Sequence, residues 1–263
     1  MLLGLAANPE RGDAVEYEER FEQIARDSGW DCVRCDGAAS GAFQEARPDV
    51  LAVLGGDGTL LRYAGPASQY GIPILGIHLG RIGFLSEIYA EEFAYSIERI
   101  RQGEYTLEEH MMLSCRVDGG EAYDCLNDVL LCKKSLSGVA EISVALDGLP
   151  VGRVFCDGII AATPTGSTAY NISAGGPVIA PGLESITMTP VCPHTLHVKP
   201  VVAAPESVWR FLSRDGILVI CDGMQKCLVP GGTGITVTRA ERCVRFIRFE
   251  RKNIFRLIQE KLY

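Results

Sequence analysis

The run Val50-Leu51-Ala52-Val53-Leu54-Gly55-Gly56-Asp57-Gly58-Thr59 carries two signals at once. Five aliphatic residues in succession describe a strand buried on both faces, the habit of parallel sheets. The glycines that end it let the backbone approach a ligand closely. Asp57, inside that turn, puts a carboxylate at the mouth of a nucleotide-sized crevice. Phosphoryl transfer needs this combination: backbone N–H groups for phosphate oxygens and a carboxylate to orient the attacking hydroxyl. A plain strand-to-helix junction with Asp or Thr as N-cap is the bland alternative. It leaves three glycines around one acidic residue without a reason, so the class to fit is a kinase.

The residues on either side of this turn alternate between strand and helix patterns. Residues 2–7, 31–33 and 73–77 read as further strands. Residues 15–27 place Val15, Phe21, Ile24 and Ala25 at helical spacing among charges, and helices are also expected over 59–70, ending near Gly71, and over 90–102, ending at Gly103. This alternation implies a parallel sheet with helices on its faces. After Gly103 the character changes. Segments 112–117, 123–131, 141–146, 150–155, 217–221 and 234–240 are short and apolar, and Asp118-Gly119, Asp147-Gly148 and Asp222-Gly223 are hairpin signals. That half reads as mostly antiparallel β. Residues 252–262 put Ile254, Phe255, Leu257, Ile258 and Leu262 on one helical face. The expected architecture is therefore an α/β N-terminal domain with a parallel sheet over residues 1–105 and a C-terminal β-rich domain over 106–251. A closing C-terminal helix over 252–263 would pack back on the first domain.

Composition sets outer limits. The 263 residues are enough for one large or two modest domains, and 47% hydrophobic with 22% charged residues is an ordinary globular balance. A net charge of −8 argues against nucleic acid as a partner, since such binding relies on clustered Lys and Arg. The same charge means that a polyphosphate substrate must be held by local donors. The apolar start ends at Asn8-Pro9 without the basic flank or length of a secretion signal, and no run approaches a membrane span. With no such signal, the ten cysteines are expected to be reduced thiols in a cytoplasmic protein.

A glycine–Asp turn does not choose among phosphofructokinases, lipid kinases and NAD kinases. Residues 157–177, Asp157-Gly158-Ile159-Ile160-Ala161-Ala162-Thr163-Pro164-Thr165-Gly166-Ser167-Thr168-Ala169-Tyr170-Asn171-Ile172-Ser173-Ala174-Gly175-Gly176-Pro177, do. Hydroxyls, small residues and backbone donors beside one aromatic suit the ribose, phosphates and ring of a dinucleotide. Here the chain closely resembles the NAD kinase family, whose pattern at this point is a D-G run followed by T-P-T-G-S-T-A-Y and S-A-G-G-P. The resemblance extends over nearly the whole chain. It includes Ile74 through Leu85, Tyr105-Thr106-Leu107-Glu108-Glu109-His110-Met111, Leu126-Asn127-Asp128-Val129 and Asp222-Gly223-Met224-Gln225.

The resemblance implies transfer of a phosphoryl group from ATP, or from polyphosphate, to the 2′-hydroxyl of the adenosine ribose of NAD. Asp57 would orient that hydroxyl and accept its proton. Gly55, Gly56 and Gly58 would leave backbone donors free for phosphates, with Arg62 adding charge one helical turn on. Asn127 and Asp128 would hold the adenosine ribose and adenine, Phe84 would lie near the adenine, and Thr168, Ala169, Tyr170, Asn171, Ile172 and Ser173 would line the dinucleotide. Asp157 falls at the nicotinamide end, and Gln225 belongs to the late segment. A divalent cation, usually Mg2+, would arrive with the nucleotide, and a homodimer or homotetramer is the family habit. The chain departs from the pattern at four places: His78 replaces the usual Asn, Asp128 the commoner Glu, and Phe155 a small or polar residue. Met224 is inserted before Gln225. The Phe155 position bears on whether the reduced dinucleotide is accepted.

Three other constellations read as bland. Cys32 and Cys35 lack a second pair with zinc spacing, Cys192-Pro193-His194-Thr195-Leu196-His197 has a family counterpart without metal, and the alternating charges over 239–251 suit a solvated strand and helix entry. Two other functions are weighed against the kinase of NAD. One is a lipid or sugar kinase, disfavoured by residues 163–177. The other is a non-catalytic NAD- or NADP-sensing module, disfavoured by the presence of both Asp57 and Asn127.

Overall fold

Apolar runs at Leu2–Ala7 (β1) and Val50–Leu54 (β3) pair side by side and in parallel, Leu3 against Val50 through Ala7 against Leu54. The computed structural model describes residues 1–8, 14–35, 42–80, 83–135, 137–194, 198–250 and 257–259. It divides into one unit of residues 1–110 and 242–263 and a second of 111–241.

In the first unit, β2 (Asp31–Arg34) flanks β1, and β4 (Ile74–His78) flanks β3. All of these pairings are parallel, and every residue of β3 and β4 is buried, as the unbroken aliphatic run predicts. A two-residue strand β5 (Ile88–Tyr89) adds to β4. Between strands run α1 (Ala14–Asp27), the short α2 (Ala42–Ala46), α3 (Asp57–Tyr70) and α4 (Phe93–Arg101). Phe21 of α1 stacks on Phe93 of α4 at 4.2 Å between ring centres, and Ala25 is buried below it. Val15, expected on the same face, is instead exposed. Helix α3 begins two residues earlier than its apolar spacing predicts, with Gly56 as N-cap and no side-chain cap, and closes at Gly71 in a left-handed cap.

The chain passes into the second unit within β6 (Thr106–Val117) and returns within β17 (Gly234–Arg248). Between them lie β7 (Ala122–Cys125), β8 (Asp128–Lys133), β9 (Ala140–Leu146), β10 (Leu149–Cys156), β11 (Gly158–Ala162), α5 (Tyr170–Ser173), β12 (Ile186–Val191), β13 (Val201–Ala203), β14 (Trp209–Ser213), β15 (Ile217–Cys221) and β16 (Met224–Val229). One sheet runs β10-β9-β14-β17 and the other β13-β12-β11-β8-β15-β16, antiparallel throughout. Their inner faces share one core that includes Trp209, Phe211, Ile142, Val144, Val129, Ile159, Met188 and Val219. Asp147-Gly148 and Asp222-Gly223 both take positive φ at both positions, the type I′ geometry that a two-residue hairpin demands.

Several expectations are corrected. The segment 123–131 is two strands, β7 and β8, broken at Leu126-Asn127. The strand expected over 234–240 continues to Arg248. Strands β11, β12, β13, β14 and β16 carried no separate sequence signal; β11 and β12 are buried at every residue and so lack alternation. Of the closing helix, residues 257–259 are helical, and the rest of 252–263 lies outside the described residues. Among the described residues no helix is long and apolar enough to cross a membrane.

Candidate active site

The glycine turn lies where β3 hands over to α3, in the first unit. Gly55 is buried, while Gly56 and Gly58 are exposed at the helix start, where backbone N–H groups have no intrahelical partner. Asp57 is the first residue of α3 and is half-buried. Its two carboxylate oxygens accept the backbone N–H groups of Phe84 at 2.8 Å and Leu85 at 3.0 Å. A β-carbon at Gly83 would overlap the Asp57 carboxylate, so glycine is required for this approach. Arg62, one turn into the helix and half-buried, makes no ion pair or hydrogen bond with other described residues.

The loop that grips Asp57 is itself gripped from behind. Arg248 Nη1 donates to the Leu85 carbonyl at 2.9 Å, and the guanidinium pairs with Glu87 at 3.2 Å and Glu108 at 2.5 Å. Glu87 also accepts the Phe249 N–H at 2.8 Å. Arg248 is buried, an exception to the solvated charge run expected over 239–251, in which Arg239, Glu241 and Arg242 are exposed. A hydrogen bond from His110 and, beyond it, the Arg248 charge hold the Glu108 carboxyl down to about 2, against the opposing pull of burial. His78, in place of Asn, is buried with Nδ1 3.2 Å from the Gly80 carbonyl and its ring 4.1 Å from that of Tyr89.

In the second unit the break between β7 and β8 is organised by one side chain. The Asp222 carboxylate accepts three successive backbone N–H groups, from Leu126 at 2.8 Å, Asn127 at 2.7 Å and Asp128 at 3.3 Å. The Asp222 N–H in turn donates to the Asp128 carbonyl at 3.0 Å. Thr163 closes the turn from the other side: its N–H donates to the Asn127 carbonyl at 2.9 Å and its hydroxyl to the Leu126 carbonyl at 2.6 Å. Gly166 passes so close that a β-carbon there would overlap the Asn127 carbonyl. Burial, and then the neighbouring Asp222 charge, push the Asp128 carboxyl up to about 7. Burial raises Asp222 as well, with the three N–H bonds pulling the other way.

The hydroxyl-rich run divides into groups used inside the fold and groups left open. Asn171 is fully buried; its amide donates to the Ser167 carbonyl at 3.2 Å and the Pro177 carbonyl at 3.0 Å, and its oxygen accepts from Thr189 at 2.7 Å. Both amide hydrogens are therefore used internally, and Asn171 pins the segment to β12. Ser167 likewise donates to the Pro164 carbonyl and accepts from the Ile179 N–H. Tyr170 and Ser173 are exposed, and Thr168, Ala169 and Ile172 half-buried. Asp157 pairs with Lys133 at 2.6 Å. Gln225 is exposed on β16 and stands opposite Ile220, beyond a bulge that takes up Lys226. Phe155 is 40% exposed, and His197 lies outside the described residues.

Sequence reasoning named Asp57, Asn127 and Asp128 but missed Arg248 and the role of Asp222. For Asp222 the available signal, an Asp-Gly hairpin, explains the turn and conceals the carboxylate's partners. A parallel-sheet unit with a glycine-flanked carboxylate at a helix start, continued by a β sandwich, fits a phosphotransferase.

The comparisons narrow that class. Residues 37–105 match the family model described as the ATP-NAD kinase N-terminal domain, and residues 126–249 the one described as the ATP-NAD kinase C-terminal domain. The chain is 38% identical over 221 residues to the NAD kinase of Syntrophotalea carbinolica, covering 81% of this chain and 78% of that protein. With the NAD kinase of Desulforamulus reducens it shares 32% identity over 279 residues, covering 99% and 96%. It superposes on the crystal structure of an NAD kinase from Archaeoglobus fulgidus in complex with ATP with a TM-score of 0.83 and 26% identity, covering all of this chain and 98% of that one. The chain belongs to the NAD kinase family. Its activity is that of a phosphotransferase acting on NAD, and the lipid-kinase, sugar-kinase and sensor readings are not favoured.

Proposed function

We propose that this chain moves the terminal phosphoryl group of ATP onto the 2′-hydroxyl of the adenosine ribose of NAD, giving NADP and ADP, with Asp57 as the proton acceptor. The grip of the Phe84 and Leu85 N–H groups on the Asp57 carboxylate carries this reading. A carboxylate has about four lone-pair sites, so two N–H bonds fix its direction and leave others for a hydroxyl. Such a base is too weak to ionise a sugar hydroxyl in advance. It orients the oxygen and takes the proton as the new O–P bond forms and the bond to the bridging oxygen of ATP breaks. N–H groups of Gly55, Gly56 and Gly58 and the Arg62 guanidinium serve the phosphates. Phe84, Asn127 and Asp128 serve the adenosine, and Thr168, Ala169, Tyr170, Ile172 and Ser173 line the dinucleotide. Asp157, paired with Lys133, serves the nicotinamide end, with Gln225 at the rim.

Among the described residues no cluster of three ligating side chains could hold a metal. A divalent cation, Mg2+, would be carried in on the phosphates of the donor, as Mg2+ commonly is. Bound there it would counter charge on the transferring group. Ten cysteines in thiol rather than disulfide form support a reducing cytoplasmic setting. An edge strand, β10, with Leu149, Val151 and Phe155 exposed supports assembly as a homodimer or homotetramer.

The test is NADP formation from NAD, ATP and Mg2+, read with an NADP-specific dehydrogenase, beside Asp57→Asn. The substitution should lower kcat by about 10²–10⁴-fold with NAD affinity nearly unchanged. An equal loss of affinity would make Asp57 a structural residue instead.

A further inference from the structure

We propose that Asp222 is a positioning residue for the dinucleotide: by gathering the N–H groups of Leu126, Asn127 and Asp128 on one carboxylate, it fixes the turn from which Asn127 and Asp128 reach NAD. The inference rests on the reading that those two side chains contact the adenosine portion. Its own support is geometric. Three consecutive amides converge on a carboxylate 94–96 residues away in sequence, at 2.7–3.3 Å, and the Asp222 N–H answers with a bond to the Asp128 carbonyl. Consecutive amides do not point the same way in a strand, so their convergence sets the break between β7 and β8. Asp222 contributes no atom to the reacting groups; it acts through Asn127 and Asp128.

The same carboxylate has an electrostatic consequence that a purely structural clamp would lack. Asp128 is buried and faces Asp222 and Cys221 from the end of β15 and Cys125 from β7, while its partner on β11, Ala162, brings no charge. Burial and the Asp222 charge push Asp128 up to about 7. Ionised Asp128 accepts hydrogen bonds from the adenosine at both oxygens and more strongly than the neutral acid does, so NAD binding should tighten as pH rises through that value.

Titration calorimetry with NAD alone, without ATP, over pH 5.5–8.5 tests this in wild type, Asp222→Asn, Asp222→Glu and Asp128→Asn, each checked for folding by circular dichroism. Asp222→Asn should weaken NAD about tenfold or more and move the pH midpoint towards acid, with KM for ATP unchanged. Asp222→Glu keeps the charge but misplaces it, so the midpoint should stay while affinity falls. Asp128→Asn should abolish the pH dependence. A folded Asp222→Asn with wild-type affinity and midpoint, while Asp128→Asn loses the midpoint, would overturn the positioning role alone. Unchanged binding and pH dependence in Asp128→Asn would remove the reading beneath it, and the proposal with it. Should Asp222→Asn not fold, undiminished affinity in Asp222→Glu decides against the proposal.

Discussion

Both units grip a carboxylate with backbone N–H groups from consecutive residues, and they use the grip in opposite senses. In the first, the loop residues Phe84 and Leu85 hold Asp57, the group proposed to react. In the second, Asp222 is the holder, and the loop it holds carries Asn127 and Asp128, the side chains proposed to meet the ligand. The backing differs too. Behind Leu85 stands an ion network of Arg248, Glu87 and Glu108, whereas no cation pairs with Asp222 among the described residues. On the proposed roles, the same hydrogen-bond geometry aims a reactive group where a buried cation braces it, and shapes a binding turn where neutral bonds from Thr163 do.

The strongest way to break this contrast is to remove the brace. Arg248→Met leaves the buried Glu87 without its cation, and losing one partner of a buried pair costs about 3–5 kcal/mol. Chemical denaturation should show that loss, and Glu87→Gln in the same chain should recover part of it. Where Arg248→Met still folds, kcat should fall and NAD affinity should hold, because Leu85 loses the donor on its carbonyl and Asp57 loses its aim. A drop in NAD affinity with kcat intact would mean that the brace serves binding instead, and that the two units do not divide the labour.

A smaller perturbation acts on the grip itself. Gly83→Ala places a methyl group in the volume of the Asp57 carboxylate. Either the loop or the carboxylate must move, and a displacement of about 1 Å at a reacting group costs roughly 100-fold in rate. Steady-state kinetics should show that loss in kcat with KM for NAD changed little. Wild-type turnover in Gly83→Ala would show that the aim of Asp57 is set elsewhere.

The two grips were unequally legible in the sequence. Asp57 could be found because its strand, turn and helix start are contiguous, and a five-residue aliphatic run followed by glycines has few other meanings. Asn127 and Asp128 were found through family resemblance, not through any local pattern. Arg248 and Asp222 act on partners 140–163 and 94–96 residues away, a distance over which neither periodicity nor spacing carries information. Arg248 even sits in a stretch whose alternating charges read as solvated, because the pattern cannot show that Glu87 and Glu108 neutralise it in the interior. The internal bonds of Asn171 were hidden for a related reason. A run rich in hydroxyls and amides announces many donors, but which of them turn inward is decided by β12, and by Thr189 in particular. The antiparallel half was read from its hairpin turns, whose Asp-Gly pairs are local. Strands such as β11, buried on both faces, merged into the motif beside them.

The smallest predicted effect separates the units by the sign of their response to pH. Asp128 is raised to about 7 when folded, so between its ordinary range and that value the folded state holds a proton that the unfolded chain has released. Stability therefore falls as pH rises through this window, by roughly 1.4 kcal/mol between pH 6 and 8 for one such group. Glu108 is lowered to about 2, so its contribution is fully present above the ordinary carboxylate range and is lost only as pH falls from about 4.5 towards 2. The two tryptophans report separately, Trp30 buried in the first unit and Trp209 in the second. In Trp30→Phe the Trp209 fluorescence midpoint in urea should rise from pH 8 to pH 6. In Trp209→Phe the Trp30 midpoint should hold across that range as far as Glu108 governs it, and drop below pH 4. A common shift of both reporters at neutral pH would mean that the units unfold as one, and that the acidic pair at Asp128 and Asp222 sets the stability of the whole chain rather than of the binding turn alone.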